Sequence, residues 1–258
     1  MASCAKTSSD SKIFTKILEQ DLDFFIQMGD LHYMDIAENK VELFYEGYSR
    51  VFNSSRQKQL YSSIPIVYTY DDHDFGENDS DSFNIAKPAA LEAYNEWVPH
   101  YQIPENGIYQ YFIYGQSIII MLDVRTFRNK EKMLGNDQMK WVQQLLEDSS
   151  IMSQISNIFL VQGVHWLEDD WDIYDEERKD ISVLLQKYQK QNKQVFSIGG
   201  DAHMTGFDNG YNNPLGDYHI LVSGPMDKAN SCKGGEFIYG PYMEQNQFTT
   251  IQVQENNF

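Results

Sequence analysis

The sequence predicts a layered α/β fold. Short apolar runs of strand type alternate with segments whose apolar residues recur at helical spacing. Each of several strand-type runs also stops abruptly at Asp or His, as strands do when their carboxyl ends open into a site. The 258 residues, 41% apolar and 14% aromatic, are enough for one large domain with a full core and are globular in composition. We see no repeat, low-complexity tract or linker, and read residues 1–258 as a single domain.

The elements follow in order. Residues 8–20 read as a capped helix, with Ile13, Phe14, Ile17 and Leu18 on one face. Residues 23–28 form a strand that ends at Gly29-Asp30-Leu31-His32-Tyr33. The helical period returns over 39–60 through Val41, Phe44, Tyr45, Tyr48 and Phe52. The strand at 64–69 runs into Asp71-Asp72-His73-Asp74, and a short helix at 87–97 carries Pro88 in its first turn. Strands at 109–114 and 116–123 flank Gly115 as a hairpin. A helix at 134–148 presents Met139, Val142, Leu145 and Leu146, and a strand at 158–164 ends at His165. A helix near 177–191 leads to a strand at 195–198, which ends at Gly199-Gly200-Asp201-Ala202-His203. Residues 218–223 and 236–253 complete the sheet material.

Composition excludes several classes. A formal charge of −18 argues against binding a phosphate backbone as the main task. It would also repel anionic substrates unless bound metal reverses the field locally. No apolar run approaches the ~20 residues of a membrane span. The two cysteines, Cys4 and Cys232, are too few for a disulfide framework. They could pair with each other, or either could be a free core thiol or a ligand. Residues 1–6 show no charged-then-apolar signal pattern.

The chemistry lies in the repeated strand ending. One strand gives Asp30 and Tyr33, a second Asp71, Asp72 and His73, a third His165, and a fourth Asp201 and His203. If one sheet carried these strands in parallel, the side chains would converge on one small volume. Carboxylates so packed repel one another unless cations neutralise them, so a metal cluster is the economical reading. Mixed His and Asp ligands suit iron, zinc or manganese, whereas all-oxygen arcs suit calcium or magnesium. No phosphate-cradling or dinucleotide glycine loop, no Gly-x-Ser-x-Gly elbow and no His-Glu-x-x-His competes with it.

Taken in order, Gly29-Asp30-Leu31-His32-Tyr33, Asp71-Asp72-His73-Asp74-Phe75-Gly76-Glu77-Asn78, Gly163-Val164-His165-Trp166 and Gly200-Asp201-Ala202-His203 resemble the alkaline phosphatase D (PhoD-type) branch of the calcineurin-like metallophosphoesterases. Ser3-Cys4, Asp123-Val124-Arg125-Thr126, residues 134–141 and Ser223-Gly224-Pro225 are similar to it as well. The resemblance implies a four-layer α/β/β/α sandwich and a metal-dependent hydrolase of phosphate monoesters or diesters. It makes Asp30 the bridge between two metal positions. Cys4, Tyr33 and His203 join it at the first, which in this family is ferric iron bound by a tyrosinate. Asp72, His165 and Asp201 take the second, described in the family as calcium, with zinc or manganese as alternatives. His73 stands over the substrate as the group that protonates the leaving alkoxide. Arg125 holds a phosphate oxygen, and Asn78 orders the loop or touches substrate. Metal-activated hydroxide is the nucleophile. The implied partner is a small phosphoester, with no nucleic acid.

Other readings stand beside these. Cys4 could be a core residue, and Arg125 an ion-pair partner of Asp123 or Asp74. Asp71 would cap or orient its neighbours rather than touch metal. In the family a core strand precedes the Ser-Cys pair, where this chain has Met1 and Ala2, so we expect a sandwich without that strand. Family members are often secreted, and localisation and oligomeric state stay open. The reading from a different class is a metal-binding domain of the same fold without turnover. Retention of His73 with Arg125 favours the enzyme.

Overall fold

Two β-sheets face one another in the computed structural model, which describes residues 1–167 and 170–254. In chain order the elements are α1 (Ile13–Leu18), β1 (Phe25–Met28), α2 (Val41–Asn53), α3 (Ser55–Ser63), β2 (Ile66–Thr69), α4 (Asp72–Phe75), α5 (Lys87–Trp97), β3 (Gln110–Tyr114) and β4 (Ser117–Met121). There follow α6 (Gly135–Glu147), α7 (Ser149–Met152), β5 (Asn157–Val161), α8 (Asp170–Ile173), α9 (Asp175–Gln189), β6 (Gln194–Gly199), β7 (Thr205–Asp208), β8 (His219–Val222) and β9 (Tyr239–Tyr242). The smaller sheet pairs β1 and β2 in parallel, and Ala2 adds a bridge to Gln27 on the other side of β1. The larger sheet runs β3-β4-β5-β6-β8-β7-β9, parallel from β4 through β8.

The four strands that end in Asp or His therefore divide between two sheets rather than sharing one. Strands β1 and β2 belong to the smaller sheet, β5 and β6 to the larger. Convergence is achieved across the sandwich. The alternation of side chains along each strand, with period two, supplies the reason. In β4, Ile118 and Ile120 face a core shared with Val142 and Leu146 of α6 and Ile181 and Leu185 of α9. Ile119 and Met121 face the opposite way, meeting Ile26, Met28 and Val67 of the smaller sheet. Ile158 and Leu160 against Phe159 and Val161 repeat the pattern in β5. Strands apolar on both faces are what a layer buried on both sides requires. The outer face of the smaller sheet is covered by α1, α2, α3 and α5 through Phe14, Phe25, Phe44, Tyr48, Leu60 and Tyr94. The layers run α/β/β/α.

Three local differences have physical causes. The helix expected over 39–60 is two helices, because Ser54 is extended (φ −72°, ψ 141°) and its hydroxyl bonds Val51 O and Gln57 Oε1. Serine competes in this way with the helical backbone. The segment 205–216, outside the strands expected from the sequence, contributes β7, whose two short flanking partners are both antiparallel. Of residues 236–253, only Tyr239–Tyr242 form a strand.

The inter-sheet core is what keeps the strand ends in place. Ile198, fully buried between the sheets, is expected to cost about 2–5 kcal/mol when changed to Ala, from lost burial plus the cavity left behind. Val183 on α9 is 67% exposed, and its change to Ala should cost within about 0.5 kcal/mol. Equal shifts in the urea midpoint would refute this account of the core.

Candidate metal centre

The turn after β1 sets the site. Gly29 has φ +82°, and a Cβ there would lie 2.5 Å from the Asp71 Cβ, so only glycine lets the first two strand ends approach. Asp30 follows at φ 54° and Tyr33 folds back over it. The Tyr33 hydroxyl donates to Asp30 Oδ2 at 2.5 Å and lies 3.1 Å from His203 Nε2. Cys4 is brought alongside by its N–H, which donates to Gly29 O at 3.3 Å, and its thiol donates to Ser3 Oγ at 3.2 Å. Cys4 is buried and Cys232 exposed, both as free thiols. Gly200 closes the arrangement from β6: a Cβ there would meet Met28 O at 2.4 Å and Ser3 Cβ at 2.7 Å.

Strand β2 delivers the second set through α4. Four residues do not make a stable helix alone, and this one is held by its own carboxylates. Asp71 is the N-cap, and its N–H donates to Asp74 Oδ2 at 3.2 Å. Asp74 Oδ1 accepts from His32 N at 2.9 Å. Asp72 Oδ1 accepts from His73 N at 3.0 Å, and Oδ2 from Asp79 N at 2.8 Å. The His73 ring packs 4.2 Å from the Tyr33 ring, and its Nδ1 lies 2.5 Å from Asp35 Oδ1. Asn78 is exposed, and its amide donates to Asp79 Oδ2 at 2.7 Å.

Ligand atoms gather into three linked groups, each with its members within 4.8 Å of one another. Cys4, Asp30 and His203 form the first, Asp30, Asp72 and His73 the second, and Asp71, Asp72 and Asp201 the third. Asp30 joins the first two and Asp72 the last two. Burial, then the charges of Asp72 and Asp71, pushes the Asp30 carboxyl well above the carboxylate range. Its Oδ1 is buried with no hydrogen-bond partner. Burial opposes ionisation at Asp72 too, but Arg125 and His73 hold it down at about 2. Burial, then Asp30, raises the Cys4 thiol; burial, then Cys4, raises the Tyr33 hydroxyl. Such a set of donors, short of positive charge and with an unbonded carboxylate oxygen at its centre, fits cations.

The expected site residues are not all placed as the sequence suggested. Cys4, Asp30, Tyr33, Asp72, His73, Asp201 and His203 come together. His165 is buried at the end of β5 but stands outside the three groups. Arg125 is 1% exposed, and its Nε donates to Asp71 Oδ1 at 2.6 Å. Its Nη2 lies 3.9 Å from Asp72 and 3.6 Å from Asp170. The ion-pair partner is thus neither Asp123 nor Asp74, and Nη1 of the buried guanidinium has no hydrogen-bond partner. Asp71 both caps α4 and enters the third group. Asp35, behind His73, Lys228, over the Tyr33 ring, and Lys233, on Asp201, escaped the sequence reading. No periodicity or motif marks them; proximity in the fold does.

A sandwich of this kind, with linked carboxylate, imidazole and thiol groups at its strand ends, is metallophosphoesterase-like in fold. The solved structure of PhoD superposes with a TM-score of 0.69 at 17% identity, over 86% of this chain and 55% of that one. A purple acid phosphatase, PPD1, from seeds of yellow lupin (Lupinus luteus) gives 0.53 at 16% identity, over 94% of this chain and 41% of that one. The present chain thus spans about half the length of these two proteins. A comparison with curated proteins gave no match. The family model described as PhoD-like phosphatase matches residues 1–256, and the chain belongs to that family.

If cations are what the buried carboxylates await, stripping metal with a chelator should lower the thermal midpoint. Asp30→Asn should raise the midpoint of the metal-free protein, by removing a buried acid whose ionisation the fold opposes, and erase most of the rise on adding metal. A metal-dependent rise as large in Asp30→Asn as in the parent would take Asp30 out of the ligand set.

Proposed function

We propose that this chain is a metal-dependent phosphoesterase that hydrolyses small phosphate monoesters, diesters or both, with residues 1–258 acting as one domain. The observation that carries the reading is the sharing of Asp30 between the Cys4–His203 group and the Asp72–His73 group. One carboxylate common to two ligand sets is what a pair of adjacent cations requires. Cys4, Tyr33 and His203 would hold the first cation with Asp30, and Asp72 and Asp201, with His165 nearby, the second. A thiol and a phenol favour iron at the first position, and the oxygen-rich second favours calcium; zinc or manganese are the alternatives. When bound, the pair would supply Lewis acidity, which brings water ionisation toward neutral pH and offsets phosphoryl charge.

The protein's own groups do the rest. Asp35 fixes the His73 ring through Nδ1, which leaves Nε2 to hand a proton to the departing alkoxide oxygen. Arg125 is a positioning residue that holds Asp71 and counters the charge of Asp72. Asn78 acts at one further remove: its amide orients Asp79, whose backbone N–H holds Asp72.

Phosphate release from a chromogenic monoester and diester should disappear in Asp30→Asn. Equal activity in both proteins would end the enzyme reading and leave a metal-binding domain. His73→Ala should lower kcat by about 10²–10⁴-fold for an alkyl phosphate. The loss should be much smaller for a nitrophenyl ester, whose leaving group needs no proton; equal losses would exclude His73 as the acid. Elemental analysis should find iron, with a visible tyrosinate band that is lost in Tyr33→Phe. Zinc without such a band would overturn the first metal assignment.

A further inference from the structure

The segment 226–235 crosses the candidate centre and touches ligands from several strand ends. Asp227 N reaches Cys4 O at 3.5 Å, and Asp227 Oδ1 accepts from Lys6 N at 2.7 Å. Ser231 donates its N–H to His203 O at 3.1 Å and its hydroxyl to Ala202 O at 2.9 Å. Two lysines of this segment point at the site. Lys228 Nζ lies 3.4 Å from the centroid of the Tyr33 ring, the same ring that packs against His73. Lys233 Nζ donates to Asp201 Oδ2 at 2.6 Å, and its side chain is 36% exposed.

These positions differ in kind from that of Arg125. The guanidinium is buried and neutralises Asp71 from within. Lys228 and Lys233 are only partly buried, so their ammonium groups face both the cluster and the solvent from which a substrate arrives. In a chain of net charge −18, an anion approaching from outside meets a repulsive field. Two cations at the rim of the acidic site offset part of that field where an anion would enter. A lysine ammonium is also a compact, rotatable donor on a flexible stem, suited to meeting phosphoryl oxygens in more than one orientation. A cation resting on an aromatic face is held without being spent on a carboxylate.

We propose that Lys228 and Lys233 form a phosphate-recognising clamp that biases the site toward dianionic monoesters over monoanionic diesters. The proposal rests on the phosphoesterase reading above and adds to it the substrate class. A dianionic monoester presents one more charged oxygen than a diester. A second ammonium group therefore gains more from the former.

The test uses the metal-loaded chain and compares the parent with Lys228→Met, Lys233→Met and the double variant. The readouts are kcat/KM for nitrophenyl phosphate and bis-nitrophenyl phosphate, inhibition by inorganic phosphate, and metal content. Each single change should lower kcat/KM for the monoester by about 10-fold or more, the loss expected for one charge-assisted hydrogen bond. The loss should fall mainly in KM, with a parallel weakening of phosphate inhibition, a smaller effect on the diester and unchanged metal content. Lys→Arg at either position should restore most of it. An unchanged monoester-to-diester ratio, or equal losses on both substrates accompanied by loss of metal, would overturn the clamp while leaving the phosphoesterase reading intact. Should the parent hydrolyse neither ester, calorimetric binding of inorganic phosphate to the loaded chain still decides the clamp: weaker binding in the variants supports it, and equal binding refutes it.

Discussion

Asp30 is a buried carboxylate with one oxygen bonded to Tyr33 and the other bonded to nothing. Ionising a buried carboxyl of this kind is among the most expensive events a core can undergo. Asp71, Asp72, Asp74 and Asp201 are buried around it, and burial with their charge drives its carboxyl upward. Folding cannot have gathered these groups for their mutual attraction. They are gathered because the strands that carry them are held by the apolar core between the sheets. The apolar contacts of Met28, Val161 and Ile198 supply the stability, and the strand ends bear the conflict.

The same division shows in the backbone. Cys4, Asp30, Asp201 and His203 all have positive φ, between 50° and 60°. For a residue with a Cβ this conformation costs about 1 kcal/mol or more each. Glycine would remove the strain but also the side chain. At the neighbouring Gly29 and Gly200, where no side chain is needed, glycine is what the chain has, and the close approach of Asp71, Met28 and Ser3 depends on it. At the ends of β1 and β6 a residue that permits the close approach thus stands directly before one that supplies a donor atom.

This explains how much was legible in the sequence. Strands apolar at every position and helices with one apolar face are set by local periodicity, so the layers and most elements follow from it. The linked groups were legible because glycine, aspartate and histidine recur at strand ends. The division of those strands between two sheets was not, because pairing is decided by contacts distant in sequence. Ser54 broke a helix that apolar spacing alone would continue, since a single hydroxyl can capture the carbonyl the helix needs. Asp35 and Lys228 have no sequence signature at all. Their importance lies in standing next to His73 and Tyr33, and only the folded chain makes them neighbours.

The centre also solves a problem of sign. The interior needs carboxylates to hold cations, yet the proposed substrate is itself an anion, and the whole chain is acidic. Depth separates the two demands. Arg125, buried beside Asp71 and Asp72, tempers the repulsion between these carboxylates from within. Lys228 and Lys233 lie nearer the surface and act outward. An arginine is suited to the first place because its fork holds a carboxylate in a fixed plane. A lysine is suited to the second because it can leave one partner for another as the charge around it changes.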